Sequence, residues 1–407
     1  MSAFIVSGGA TLTGCITVGG SKNAALPIIF ATLLTNGISV LSNVPKILDV
    51  EVALNIICEF GARVERRADT LIIDTTQLAY CVPSEKNVSK IRASSYLLGA
   101  LSARFGRARI MSFGGCNFEN RPIDMHIGAL YSLGATINGS DICAKNLTGA
   151  DIRFDKISVG ATVNAILMSN CAKGRTRIFG YAREPHVYAL VDFLKSCGAD
   201  ISFSEECITV YGCELHGGVA RIIPDMIEAG TYLALSCATG SNLSVAGADV
   251  RELESFLLDI AVSGIGFSLS SDLISPFGNI NCFFDIITGP YPAFPTDMQP
   301  QCAPLMAEHG GRITEGVWCS RFGYLEELAK FGLNYTRVKN LAYILPSKLH
   351  NANVIATDLR GGAAALITAL ICKGESVIEN AEIIDRGYEN IIEKLCSVGA
   401  DIKRKEI

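Results

Sequence analysis

Cys116 and Arg121 stand five residues apart in the stretch Gly114-Gly115-Cys116-Asn117-Phe118-Glu119-Asn120-Arg121-Pro122. A thiol beside a fixed positive charge is a candidate acid, base or nucleophile, because the charge favours the thiolate. The two glycines permit a sharp loop, and Pro122 ends it ahead of an apolar-periodic segment, Ile123 to Leu133, that reads as a helix. Cys116 is therefore expected at an accessible tip. The chain carries 15 cysteines, scattered without CxxC pairs, so neither a disulfide framework nor a zinc site follows from them. Cys58, Cys171, Cys197, Cys372 and Cys396 fall on apolar faces of helical patterns and are expected to serve as small buried hydrophobes. So many unpaired thiols point to a reducing compartment, hence the cytoplasm.

A second set of candidates lies at six helix starts. They read Ser21-Lys22-Asn23-Ala24-Ala25, Arg92-Ala93-Ser94-Ser95, Ser158-Val159-Gly160-Ala161-Thr162, Asp225-Met226-Ile227-Glu228, Pro295-Thr296-Asp297-Met298-Gln299 and Thr357-Asp358-Leu359-Arg360-Gly361-Gly362. Small residues at a helix N-terminus leave backbone N–H groups open, and the helix dipole adds partial positive charge there. Ser, Thr and Asp are also the common N-caps, so each start taken singly reads as a capped helix. Lys22, Arg92 and Arg360 alter the balance, because a cation in that position is unfavourable without an anion to offset it. Together they point to a phosphate or carboxylate ligand.

The elements that must position these residues repeat. An amphipathic helix, a glycine where it stops and a short alternating strand recur six times, with the glycines at positions 61, 134, 198, 264, 332 and 399. At 407 residues and 49% hydrophobic content the chain is long for one core. The repeats predict an α/β protein with three units in each of two similar domains, and ligands in the cleft where the helix starts converge. The best internal boundary is Ile222-Ile223-Pro224-Asp225. A formal charge of −5 argues against nucleic-acid binding. The start MSAFIVSGGATLTG lacks the pattern of a signal peptide, and no apolar run is long enough to insert in a membrane, so the chain reads as soluble and unexported. The five histidines, His126, His186, His216, His309 and His350, lack metal-ligand spacing.

The ordered blocks Gly19 to Pro27, Lys90 to Ser94, Arg121 to His126, Asp155 to Thr162, Ala182 to Pro185, Phe294 to Gln299, Ala356 to Arg360 and Ile384 to Glu389 closely resemble the enolpyruvyl transferases over essentially the whole chain. The resemblance implies an inside-out α/β barrel of six βα repeats in two three-repeat domains, with the active site in the interdomain cleft. It implies that residues 1–21 cross back to join 226–407, leaving 22–225 as the domain with the cysteine loop. The implied reaction moves the enolpyruvyl group of phosphoenolpyruvate to the 3-hydroxyl of UDP-N-acetylglucosamine, releasing phosphate in the first committed step of peptidoglycan synthesis. No metal or organic cofactor is implied, and protein partners are not indicated.

By the same resemblance Cys116 donates a proton and can form a thioketal with phosphoenolpyruvate, and Asp297 takes the proton of the sugar hydroxyl. Lys22, Arg121 and Arg386 would hold the phosphate and carboxylate of phosphoenolpyruvate. Asn23 matches a sugar contact. Arg92, the run Arg121, Pro122, Ile123, Asp124 and Met125, the run Lys156, Ile157, Ser158 and Val159, and Val317 match positions that hold the uridine diphosphate portion. Asp358 and Arg360 match a closing-site pair. The chain departs from the family pattern at Phe118-Glu119-Asn120, at His186 and at Trp318-Cys319-Ser320 ahead of the matching Arg321-Phe322. Two other readings remain open at this point: an enolpyruvyl transferase for a different nucleotide or sugar acceptor, and a catalytically retired UDP-sugar-binding regulator.

Overall fold

Five helices have no polar face, and that decides where they go. Lys22–Ala31, Leu97–Phe105, Val159–Ser169, Met226–Thr239 and Leu359–Ile371 are built largely of Ala, Gly, Leu and Ile. A helix that is apolar all round must be buried all round. In the computed structural model, which describes residues 2–115 and 122–406, every residue from Ala24 to Ala31, Ala161 to Ser169, Ile227 to Cys237 and Leu359 to Leu370 is buried. Cys116, Arg121 and the Phe118-Glu119-Asn120 departure lie outside the described residues.

The chain divides into two compact units, Met1–Gly19 with Pro224–Ile407, and Gly20–Ile223. In the first, Met226–Thr239 and Leu359–Ile371 pack on each other and on the short Gln299–Cys302 helix. In the second, Leu97–Phe105 lies against both Lys22–Ala31 and Val159–Ser169. Among the described residues each unit also has three small sheets, giving a mixed α/β fold. The four-stranded sheets share one order, a parallel edge pair followed by antiparallel neighbours. Arg175–Phe179, for example, runs parallel to Asp151–Arg153 and antiparallel to Cys207–Tyr211, which in turn pairs with Asp200–Phe203. Strands alternate buried and exposed residues, as in Leu341–Leu345, where Ala342 and Ile344 face the core.

The N-terminal segment supplies two strands to the unit formed by the end of the chain. Ser2–Gly8 lies antiparallel between Gly374–Glu379 and Asp401–Glu406. Thr13–Thr17 pairs in parallel with Asn242–Ala246. At the crossing into the other unit, Asp225 N donates to Gly19 O (2.9 Å) and Gly19 N to Glu228 Oε2 (2.7 Å). On the far side Ser21 N donates to Ile223 O (2.7 Å).

The recurring glycines terminate six amphipathic helices, from Leu48–Glu59 to Ile391–Ser397, just ahead of a strand. Gly61, Gly134, Gly198, Gly264, Gly332 and Gly399 have φ between 90° and 104°, which a side chain would strain. The cysteines correct one expectation. Cys197 and Cys372 are buried, but Cys58, Cys171 and Cys396 are exposed. Cys58 and Cys396 each follow directly on a buried residue, Ile57 and Leu395, and so stand one step round the helix from its buried stripe, while Cys171 lies past the end of the Val159–Ser169 helix. No helix of the described residues is long and apolar enough to cross a membrane.

The Gly20–Ile223 unit buries one polar cluster between its helices. Asn164 Oδ1 accepts from Gly99 N (2.6 Å), while Asn164 Nδ2 donates to Ser95 O (3.1 Å) and Gly160 O (3.3 Å). With the amide so oriented, Asn164 Nδ2 also donates to His126 Nδ1 (2.8 Å), which must be the unprotonated nitrogen. Burial, with help from Arg92, pushes the His126 pKa from 6.5 down to about 4.

Two predictions follow from this core. A Cβ on Gly99 would lie 2.6 Å from Asn164 Oδ1 and 2.9 Å from its backbone oxygen, so Gly99→Ala should cost about 1–3 kcal/mol by overpacking. Gly128, helical with nothing within 4 Å, is the control: Gly128→Ala should gain about 0.4–1 kcal/mol in the same urea titration. The neutral His126 also makes stability fall with acid. The unfolded ring takes a proton near pH 6.5 and the folded one only near 4, so its contribution is intact above 6.5 and is lost downward through that window. The loss should total at most ~3 kcal/mol, read as the difference in pH-dependent unfolding between wild type and His126→Gln.

Candidate active site

The expectation of open helix starts needs correction: four of the six are closed by their own side chains. Ser21 accepts from Ala24 N (3.4 Å) and Ser158 from Ala161 N (3.3 Å). Asp225 takes Ile227 N and Glu228 N, and Asp358 takes Arg360 N and Gly361 N. These helices are buried, so bulk water cannot satisfy the first-turn amides and a cap is needed. The unusual cations are offset from within the chain as well. Lys22 Nζ lies 3.3 Å from Asp49 Oδ2, and Arg360 bonds to Asp297.

In the unit that includes the C-terminal half, Asp297 is the centre. The following Gln299–Cys302 helix is one turn long and has no side-chain cap, so the Asp297 carboxylate is directed elsewhere. Its Oδ1 accepts from Arg321 Nη1 at 2.7 Å, and its Oδ2 from Arg360 Nη2 at 3.1 Å and Nε at 3.3 Å. The arginine side chains are 6% and 2% exposed, against 31% for Asp297. Burial disfavours charge on Arg321, but Asp297 and Asp358 outweigh it and keep the guanidinium protonated. Arg360 also lies 5.3 Å from the Tyr388 ring centre. Gln301 Nε2 donates to Tyr388 Oη, Thr231 Oγ1 and the Asp297 carbonyl, binding that corner together. Arg386 is half-buried at the end of the Ala381–Arg386 turn, two residues before Tyr388.

Val317 is placed by a buried acid. Glu315, fully excluded from solvent, accepts from Thr288 Oγ1 (2.7 Å), Thr296 Oγ1 (2.9 Å), Val317 N (2.9 Å) and Trp318 N (3.0 Å). Thr296 Oγ1 in turn accepts from Arg321 Nη1 at 3.1 Å. The same acid thus fixes the segment before Asp297 and the segment bearing Val317.

In the Gly20–Ile223 unit, Lys22 and half-buried Asn23 open the Lys22–Ala31 helix. Gly114 packs so closely on Ser89 and Ile91 that no side chain would fit, and Gly115, at φ 133°, lies against the Arg92 side chain. The last described residues before Cys116 are thereby held beside Arg92. Pro122, Ile123, Asp124 and Met125 lead into the Asp124–Ser132 helix, whose His126 ring lies against Gly160. Arg92, the 122–125 run and the Ser158–Val159 helix start are therefore gathered around His126. Lys156 and Ile157 are exposed on the approach to that start.

Sequence reasoning missed Asp49, Glu315, Arg321 and Asn164 as partners. Arg321 had a visible signal, as it matches within an otherwise altered stretch. Asp49 and Glu315 had none, because they act on groups 27 and 2 to 27 residues away through contacts that only folding creates. Among the described residues no group of three His, Cys, Asp or Glu side chains is arranged to hold a metal ion.

Known proteins are similar to this chain over its length. A family model described as EPSP synthase (3-phosphoshikimate 1-carboxyvinyltransferase) matches residues 6–395. UDP-N-acetylglucosamine 1-carboxyvinyltransferase 2 of Clostridium acetobutylicum is 39% identical over the full length of both chains. UDP-N-acetylglucosamine 1-carboxyvinyltransferase 3 of Caldanaerobacter subterraneus is 41% identical over 99% of each. The crystal structure of the enolpyruvyl transferase NikO from Streptomyces tendae superposes with a TM-score of 0.88 over 99% of each chain, at 25% identity. With a family match that leaves out only a few residues at each end, and relatives aligned over their whole length, the chain belongs to the EPSP synthase family of enolpyruvyl transferases.

Proposed function

We propose that this protein transfers the enolpyruvyl group of phosphoenolpyruvate to the 3-hydroxyl of UDP-N-acetylglucosamine, releasing inorganic phosphate, as the first committed step of peptidoglycan synthesis in the cytoplasm. The full-length relatives support the reaction and its acceptor. The observation that carries the reading is Asp297, a partly exposed carboxylate fixed by two buried guanidiniums in the unit that also holds Val317, Asp358, Arg360 and Arg386. The reading brings with it the family's inside-out barrels, built of six repeats.

In this scheme the sugar hydroxyl gives its proton to Asp297 as its oxygen bonds to C2 of phosphoenolpyruvate, and C3 gains a proton from Cys116. The tetrahedral adduct then returns a C3 proton to the Cys116 thiolate as the C2–O bond to phosphate breaks, restoring the double bond, and the phosphate leaves with the proton that Asp297 had taken. Addition of the Cys116 S–H across the same double bond, sulfur to C2 and hydrogen to C3, gives the thioketal. Lys22, Arg121 and Arg386 hold the phosphate and carboxylate and are in place before negative charge develops. Asn23 contacts the sugar. Arg92, the 122–125 run, Lys156 to Val159 and Val317 hold the uridine diphosphate, and Asp358 and Arg360 close the site.

Phosphate release from phosphoenolpyruvate should depend on UDP-N-acetylglucosamine and should fall about 10²–10⁴-fold in Asp297→Asn, which keeps the side chain's shape but removes the base. Activity within twofold of wild type would remove Asp297 from the mechanism. Turnover by wild type with a different nucleotide sugar alone would reassign the acceptor. Cys116→Ser should abolish the phosphoenolpyruvate adduct seen by intact-protein mass spectrometry, since a hydroxyl is a far weaker acid than a thiol. Fosfomycin with UDP-N-acetylglucosamine present should add one equivalent to wild type and none to the variant.

A further inference from the structure

The buried cluster around Asn164 ties together three segments that the proposed function gives to the acceptor. Asn164 stands in the Val159–Ser169 helix, its amide joined to Ser95 O in the turn that Arg92 opens, to Gly99 N, and to Gly160 O one residue past Val159. Its remaining contact is to His126, the residue directly after the Pro122–Met125 run. The far edge of the His126 ring faces Gly160, where an added Cβ would lie 3.1 Å from Cε1 and 3.2 Å from Nε2. A methyl group at 160 would thus press on the imidazole edge and displace it by a few tenths of an ångström.

We propose that His126 and Asn164 are positioning residues for the nucleotide half of the acceptor: together they set the spacing between the Arg92 turn, the start of the Asp124–Ser132 helix and the start of the Val159–Ser169 helix. An apolar pair of similar volume would fill this space without polar demands. A hydrogen-bonded polar cluster holds one geometry instead, because the two N–H bonds of the Asn164 amide must serve Ser95 O, Gly160 O and His126 Nδ1 together while its oxygen takes Gly99 N. The imidazole serves only in its neutral form, as a protonated Nδ1 would confront the Asn164 N–H with a second donor. Its burial and the nearby Arg92 keep it so. Phosphoenolpyruvate, held by other residues in the proposed mechanism, should not feel the change.

The inference rests on the proposed acceptor reading, and steady-state kinetics with both substrates tests it. His126→Phe should raise KM for UDP-N-acetylglucosamine about tenfold, with KM for phosphoenolpyruvate and kcat within about twofold, because uniform acceptor binding is what is lost. His126→Gln, whose side-chain carbonyl can still accept from Asn164, should recover most of the affinity. Gly160→Ala should raise the acceptor KM in the same direction by displacing the ring, while its thermal midpoint stays level or rises through better helix propensity. A merely structural cluster would give the opposite split, a lower midpoint with both KM values moved alike, and that result overturns the proposal. So does an unchanged acceptor KM in the variants. Should His126→Phe fail to fold, Gly160→Ala carries the test alone. If wild type turns over no UDP-N-acetylglucosamine, the function is wrong, and calorimetric titration of UDP into wild type and Gly160→Ala still decides the positioning claim: equal affinities refute it.

Discussion

Burying a helix on every side dictates what can stand at its ends. The Lys22–Ala31, Val159–Ser169, Met226–Thr239 and Leu359–Ile371 helices are enclosed almost throughout, so their first amides need partners from the chain itself. Ser21, Ser158, Asp225 and Asp358 answer that need. A cation in the first turn of such a helix is opposed by both the dipole and desolvation, and it persists only beside a carboxylate. Lys22 has Asp49 and Arg360 has Asp297. The groups assigned to the chemistry thus occupy places that the packing of small-residue helices makes electrostatically demanding.

Arg321 and Arg360 illustrate how much depends on one carboxylate. Both guanidiniums are withdrawn from water, and the Coulomb gain from Asp297 offsets part of what that desolvation costs. Replacing Asp297 with an apolar residue would leave two buried positive charges facing each other, so function and folding would be confounded. An asparagine keeps an acceptor oxygen for one arginine and separates the two effects better, which is why it is the informative substitution at this position.

The repeat was readable because one glycine per repeat must adopt φ near 100°, a demand that marks the sequence directly. Helix starts were readable for the same local reason, although their caps proved to be filled. The carboxylates that complete the site were not. Nothing near Asp49 announces Lys22, and Glu315 looks like any acid on a strand end until Thr288, Thr296 and two backbone amides converge on it. The exposed Cys58 and Cys396 show the limit of composition: a thiol beside the apolar stripe reads like one within it, although Ile57 and Leu395 hold the buried face and the cysteines one step round do not.

Glu315 and Asp297 are neighbours through Thr296, which donates to one and accepts from the arginine that grips the other. Their environments separate their roles. Glu315 is wholly excluded from solvent, and its four donors are the Thr288 and Thr296 hydroxyls and the Val317 and Trp318 amides, so it acts as a structural anchor. Asp297 keeps 31% of its side chain in contact with solvent while its bearings are set by buried arginines. A base must be both held and reachable, and of these two carboxylates only Asp297 meets both conditions. The anchor nonetheless contributes to that reachability, since it holds Thr296, and through it Arg321, in the position from which Asp297 is presented.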